Sequence, residues 1–588
     1  MVPCNKKCKA TWFAVVLSLC ALMCLPLANA ASPWASIGTQ SKPSWNAPFL
    51  AYLAATHPIT VVVGLKVRNS KQLFSTAKSL MTPASKNYGH WLTHQQVMQR
   101  FAPTVADANS VAAYLKSKGF TDVTISPSRM LVIANGTAAS VLAAFNTRMA
   151  YFQRNSRVAY ANTDAISLPA NLTGVVSAVL GLQDMYRVHT DQEVAVHSTT
   201  DFPTIYDAAP LGAASSATVG IIAYGDISQT ENYDFPLFEN YYHIAIPVEY
   251  VKVGIGSTPI GGDLNTPNEW DIDSQTILGM AGMSLKELIF YDAIDCDTPA
   301  GTGGSSTCVD AGLTEAYVAA VNADAARVIN ISLGICESAA HADLSMSFDD
   351  QEFAAGVAQG QTFVASSGDD GAYCNTGTGT SSSPEVEYPA SSPYVIAVGG
   401  TTLYTTNGNT YSSEVGWSGS GGGQSGYESM PSWQKGIVPG NMRGVPDVAF
   451  DADPQSGEAI AYGYIQVSQC ASPCTPLWAD EGGTSLAAPI LVGGWARVES
   501  AASRPGGVSS LYGYYSDYYV SKQLPVSGSF FRDITSGSNG YYSAGSGWDY
   551  VTGLGSLDFN KLAIASAIQQ HRGCPCRGCC NAVTSGGP

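Results

Sequence analysis

The chain has 588 residues, 45% of them hydrophobic and only 13% charged, and carries a formal net charge of −17. That length points to several structural units, and that apolar content to large cores rather than disorder. The acidic balance excludes nucleic acid as a partner, because phosphate binding needs clustered Lys and Arg. Sparse, mostly acidic charge suits work at low pH, where carboxylates neutralise, although many secreted bacterial proteins are simply acidic.

The amino terminus reads as an export signal over residues 1–30. Lys6, Lys7 and Lys9 form a basic start, residues 12–25 an apolar run, and Ala28-Asn29-Ala30 a small-residue cleavage site. The apolar run is shorter than the ~20 residues of a membrane-spanning helix. A secreted protein, extracellular or periplasmic, with no membrane contact after signal removal is expected. Cys20 and Cys24 raise a lipoprotein alternative, but neither sits in a convincing lipobox.

Residues 31–188 read as a compact α+β unit. A β-branched run at 59–65 is followed by a helix at 106–119. Strands at 123–125 and 130–133 flank the turn Ser126-Pro127-Ser128, and a helix at 138–145 precedes a last strand at 149–152. The order β-α-β-β-α-β describes a ferredoxin-like sandwich. A polar stretch, 189–201, then has the character of an exposed connector open to proteolysis.

From residue 202 to about 568, strands alternate with helices. Strands are expected at 219–223, 288–291, 328–331, 362–365 and 395–398, and helices at 269–280, 313–326, 349–358 and 485–501. Such alternation means an α/β unit, a parallel sheet flanked by helices, with functional residues where strands end and helices begin. Six cysteines lie in this part, and an even number in an exported chain implies disulfides. Short separations favour Cys296–Cys308 and Cys470–Cys474, which leaves Cys336–Cys374. Residues 569–588 form a Cys/Gly-rich tail.

The run Gly482-Gly483-Thr484-Ser485-Leu486-Ala487-Ala488-Pro489 opens the 485–501 helix. Ser and Thr are ordinary helix caps. Two glycines, however, permit a sharp turn that presents Ser485 where backbone N–H groups and the helix dipole face a developing oxyanion. The Gly-Thr-Ser-x-x-Ala-Pro pattern resembles the nucleophile turn of subtilisin-type peptidases. Those enzymes also need a histidine in a His-Gly-Thr setting, which this sequence lacks. It offers instead Glu269-Trp270-Asp271-Ile272-Asp273. Glu269 and Asp273, four residues apart, share one helix face and can share one proton. An acidic first turn is common by itself; beside the serine motif it resembles the sedolisins, the serine-carboxyl peptidases.

The resemblance spans roughly residues 40 to 565 and is nearest the bacterial pseudomonalisin- and xanthomonalisin-type precursors. It implies a subtilisin-like parallel sheet flanked by helices and preceded by a ferredoxin-like propeptide. Tyr88-Gly89-His90-Trp91-Leu92-Thr93 resembles the propeptide, and Phe202-Pro203-Thr204-Ile205-Tyr206 the opening of the mature enzyme. It further implies that Ser485 is the nucleophile, Glu269 its general base and Asp273 the group that tunes Glu269. Asp369, in Ser366-Ser367-Gly368-Asp369-Asp370-Gly371, is the implied oxyanion donor, a role open to a carboxyl only while protonated. Ser332-Leu333-Gly334 is the implied edge on which a peptide substrate lies as an added strand. Asp533, Ile534, Gly545, Gly547 and Asp549 are the implied ligands of one structural Ca2+, a hard cation suited to oxygen donors.

The expectation is a secreted, acid-active endopeptidase with protein and peptide substrates. Its own propeptide would act as intramolecular inhibitor until acid weakens the carboxylate contacts and the connector is cut. Two rivals stand beside it. One is an ordinary Ser-His-Asp peptidase using His243 or His341; the other is a catalytically silent exported binding protein on a peptidase scaffold. The tail motif Cys574-Pro575-Cys576-Arg577-Gly578-Cys579-Cys580 has no counterpart in the family pattern.

Overall fold

A computed structural model describes residues 34–37, 48–82, 85–154, 157–183, 195–225, 227–254, 268–293, 309–376, 380–407, 409–462, 477–502, 506–520 and 528–572. The export signal, Cys296, Cys308, Cys470, Cys474 and the 574–580 motif lie outside them.

The amino-terminal unit is built on an antiparallel sheet in the order Thr121–Ile125, Leu131–Thr137, Pro58–Leu65, Val176–Leu180. This is the ferredoxin-like order, but its fourth strand is not the expected one. Met149–Arg154 is a strand that pairs instead with Phe49–Tyr52 and Arg157–Asn162 in a separate sheet. Both strands are apolar enough for burial: Val176–Leu180 buries four of its five residues in this sheet, and Met149–Arg154 buries Met149, Ala150 and Phe152 in the other. Two helices start where polar side chains satisfy their free N–H groups. Thr93 and Gln96 form a capping box for His94–Arg100, and Thr104 and Asp107 one for Val105–Ser117.

A further helix, Ser70–Met81, buries Leu73, Ala77, Leu80 and Met81. Those residues share one apolar cluster with Phe348 and Phe353 of the helix Ser345–Gln359 in the larger unit. Polar contacts fix the register: Val67 N donates to Gln351 Oε1 at 3.3 Å, and Leu92 N to the Ala358 carbonyl at 2.9 Å. The amino-terminal unit is thus seated on one helix of its neighbour.

The larger unit is an eight-stranded sheet. Val248–Val253, Leu285–Ala293, Ala214–Tyr224, Val328–Ile331, Thr362–Ser366 and Val395–Thr406 run parallel in that spatial order. Val448–Asp451 joins Val395–Thr406 in parallel, and Thr410–Gly416 closes the edge antiparallel. From Ala214–Tyr224 the chain first visits the outer Val248–Val253 and returns to the inner Leu285–Ala293, then crosses to the other side and progresses outward through Val328–Ile331, Thr362–Ser366 and Val395–Thr406; a site at the carboxyl edge beside this crossing is usual in open α/β sheets. The four helices expected from spacing are Asn268–Ala281, Val309–Ala323, Ser345–Gln359 and Thr484–Ala502. Among the described residues no helix is long and apolar enough to cross a membrane.

The connector departs from expectation. Ala195–Ser198 forms a strand paired in parallel with Gly457–Tyr462, and Thr199 is fully buried. The described end of this segment is paired with the larger unit, with Thr200 exposed just after the strand. A polar composition masked this, because its backbone, rather than its side chains, makes the pairing.

Candidate active site

Ser485 lies in the first turn of Thr484–Ala502. The turn ahead of it depends on Gly483, whose φ of +89° is a left-handed conformation that side-chain-bearing residues resist. This helix presses on Asn268–Ala281, which carries the acidic pair. At the crossing, a Cβ on Gly493 would stand 2.7 Å from the Ile277 carbonyl oxygen, so only glycine allows this approach. Close helix packing brings a serine and a glutamate more than two hundred residues apart into contact.

Glu269 and Asp273 are almost entirely buried, at 2% and 0% exposure, and Ser485 is 5% exposed. The Ser485 hydroxyl lies against the Glu269 carboxylate. Burial first, then the nearby Asp273 charge, holds the Glu269 carboxyl well above its usual range, although the Ser485 hydroxyl acts in the opposite direction. Burial raises Asp273 as well, against hydrogen bonds from Ser332 and Asn330. Glu269 Oε1 and Asp273 Oδ2 each lack a donor, the arrangement that one shared proton satisfies. Asp271, two residues from each, turns away toward Asp234 and Thr230.

Asp369 follows the strand Thr362–Ser366 and reaches the start of the serine helix. Its Oδ1 accepts from both the backbone N and the Oγ1 of Thr484, each at 2.7 Å. Ser332-Leu333-Gly334 leaves the carboxyl end of Val328–Ile331, and the Ser332 hydroxyl donates to Asp273 Oδ1 at 2.6 Å. Cys336 and Cys374 form a disulfide that ties the chain just beyond this edge to the chain just beyond Asp369. The histidines of the rival reading are elsewhere engaged. His341 stacks on Tyr427 with centroids 4.0 Å apart, and His243 ends an exposed helix turn in a left-handed conformation.

Sequence reasoning missed the side-chain duties of Thr484, Asn330 and Ser332. The last two were detectable, because polar residues two apart at the end of an otherwise apolar buried strand lie on one face and need partners there.

The five residues of the carboxyl-terminal loop also converge. Asp533 accepts from Gly547 N at 3.1 Å, and Asp549 Oδ2 from Gly545 N at 2.9 Å. Asp549 Oδ1 is held by the Val551 and Thr552 amides, and burial raises its carboxyl. The Ile534 carbonyl receives only a long 3.4 Å contact from Thr552. Two carboxylates and glycine-freed carbonyls on one loop form an all-oxygen donor set.

Comparison with known proteins agrees with this architecture. Residues 46–185 match the pro-kumamolisin activation domain, and residues 289–510 the subtilase family. The chain is 39% identical to sedolisin of Pseudomonas sp. (strain 101), covering 95% of this chain and 98% of that protein. The chain belongs to the sedolisin family. It is a serine-type peptidase of subtilisin-like fold, made as a precursor with an activation domain. Xanthomonalisin of Xanthomonas sp. (strain T-22) is 37% identical over 87% of this chain and 66% of its own. The solved Pseudomonas sedolisin, complexed with two molecules of pseudo-iodotyrostatin, is 40% identical over 65% of this chain and all of that one, with a TM-score of 0.55.

Proposed function

We propose that this sedolisin-family precursor matures into a secreted, acid-active endopeptidase whose reaction runs through Ser485, Glu269, Asp273 and Asp369. The observation that carries the reading is the buried approach of the Ser485 hydroxyl to Glu269, with the second carboxyl of Asp273 one helical turn on. Ser485 Oγ attacks the scissile carbonyl while Glu269 takes its proton and then returns it to the leaving amine. Asp273 accommodates the change of charge on Glu269. Protonated Asp369 donates to the tetrahedral oxyanion, and water then hydrolyses the acyl-enzyme. The peptide lies along Ser332-Leu333-Gly334. Because a donor such as Asp369 becomes a repelling charge once ionised, acid is required by the chemistry itself.

A probe separates this from the silent binding protein. Pseudo-iodotyrostatin is expected to label or occupy Ser485 at pH ~4 and fail to do so in Ser485→Ala; equal retention by both proteins defeats the reading. Asp369→Ala is expected to lower kcat about a hundredfold with KM little changed, the typical loss of one oxyanion donor, ~3 kcal/mol. An equal rise in KM would mean that Asp369 holds substrate rather than the transition state.

Removal of the propeptide follows from the connector. Since Ala195–Ser198 is a strand of the larger unit, the cut falls before it, and the mature amino terminus is expected at or upstream of Ala195. Terminal sequencing of the acid-matured protein reads this directly, and a start beyond Ser198 counts against it. Glu352 lines a small cavity with Val67, His94 and Phe101 of the propeptide, and burial pushes it up to about 8, so it is already neutral in acid and its charge does not hold the propeptide there.

Asp533, Asp549 and the carbonyls of Ile534, Gly545 and Gly547 would hold one Ca2+, which would neutralise two carboxylates and brace the loop. A chelator is expected to lower the melting temperature of mature enzyme, the loss being about 3 kcal/mol where calcium stood a hundredfold above its Kd. Asp549→Asn is expected to melt at the chelated temperature and to be indifferent to chelator; an unmoved transition in the parent would leave the loop without a metal.

A further inference from the structure

The peptide-binding edge and the acidic pair meet through one hydroxyl. Ser332 Oγ accepts from Asn330 Nδ2 at 2.9 Å and donates to Asp273 Oδ1 at 2.6 Å. A serine hydroxyl has a single proton, so with Asn330 on its lone pair that proton is committed to Asp273. Both residues are buried, Asn330 at 0% and Ser332 at 2%, and bulk solvent does not reach the bond. Oδ1 of Asp273 is thereby fixed as an acceptor. The remaining oxygen, Oδ2, and Glu269 Oε1 are the two atoms of the pair without a donor.

We propose that Ser332, backed by Asn330, is a positioning residue of the Glu269–Asp273 pair: its hydroxyl confines the shared proton to the side of Asp273 that faces Glu269. The backbone of Ser332 aligns the peptide, and its side chain sets the protonation of the base. This duty presupposes the proposed roles of Ser485 and Glu269. The groups that bear on the pair are few. Asn330 on the strand Val328–Ile331 and Ser332 just beyond it face Asp273, Ser485 faces Glu269 from its helix, and the charges of Asp369, in a loop, and Glu481, at the end of the strand Leu477–Glu481, act on Glu269. Asn330 and Ser332 favour the ionised form of Asp273, and the other three carboxylates oppose ionisation of Glu269.

A donor to the charged form lowers a carboxyl pKa, so its removal raises it. Ser332→Ala keeps the backbone edge and deletes the donor. The acidic limb of its kcat profile is expected to move up by about one pH unit, with KM for a peptide substrate unchanged and the limb restored in Ser332→Thr. A uniform fall in kcat at every pH, or a rise in KM with the limb unmoved, overturns the proposal. Should Ser332→Ala not fold, Asn330→Ser frees the hydroxyl proton without removing it; a smaller upward move is expected, and an unmoved limb again overturns the proposal. Glu269→Gln keeps the two failures apart. An active Glu269→Gln enzyme sinks the mechanism itself, whereas an inactive one beside a Ser332→Ala enzyme with its limb in place sinks only the role of Ser332.

Discussion

Purified precursor carrying Ser485→Ala is expected to stay uncut at pH ~4, while the parent chain matures and digests protein under the same conditions. Glu269→Ala is expected to behave the same way, since a serine hydroxyl is a poor nucleophile without a base to take its proton. Residues that act as one unit are lost as one unit, so each single variant is expected to fall by a factor on the order of 10⁴ or more, and the double variant little further. The contact that makes this a joint loss is the approach of the Ser485 hydroxyl to Glu269 inside a site nearly closed to solvent. Gel analysis of purified precursor, free of added protease, reads the result. Normal maturation of Ser485→Ala would assign processing to another enzyme, and a matured Glu269→Ala would return the base to an unidentified group.

The second large effect is on stability. Many carboxyls of the described residues are buried with raised pKa. Burial is the leading cause for Glu352, pushed up to about 8, for Glu458, also about 8, and for Asp271 and Asp349, held well above the usual range. Their pKa is higher folded than unfolded, so the sign is definite. The stabilisation they contribute is complete below the unfolded value near pH ~4 and disappears as pH rises through the folded value. A pKa that differs by one between the folded and unfolded chain is worth about 1.4 kcal/mol, so a few such groups rival the ~5–15 kcal/mol that keeps a domain folded. Melting of the precursor from about pH 3 to about pH 9 is expected to show its highest midpoint in acid and a continuous fall above pH ~5. Glu458→Gln, which keeps the contact with Thr276 without a titrating group, is expected to flatten the fall. A midpoint that rises toward neutrality would reverse the assignment.

These expectations also explain the composition. A surface poor in charge and an interior rich in carboxyls is unfavourable at neutral pH and favourable in acid. The same carboxyl burial that raises Glu269 recurs outside the proposed catalytic set, as at Glu458, which accepts from Thr276 on the helix of the acidic pair. Stability and activity are then limited on the alkaline side by one kind of titration.

Local pattern alone determined a good deal of this. Helical spacing put Glu269 and Asp273 on one face, Gly482-Gly483 marked the serine turn, and the strands at 328–331 and 362–365 were legible from their apolar runs. Each of these rests on neighbours within about one turn or one strand, where periodicity carries the information. Only the tertiary structure decided which strand completes the propeptide sheet, that Ala195–Ser198 is a strand of the peptidase unit, that Thr484 engages Asp369, and that Ser332 reaches Asp273. Strand partners are chosen by burial among distant segments, and a side chain's proton is set by whatever encloses it; neither is written in the residues beside it.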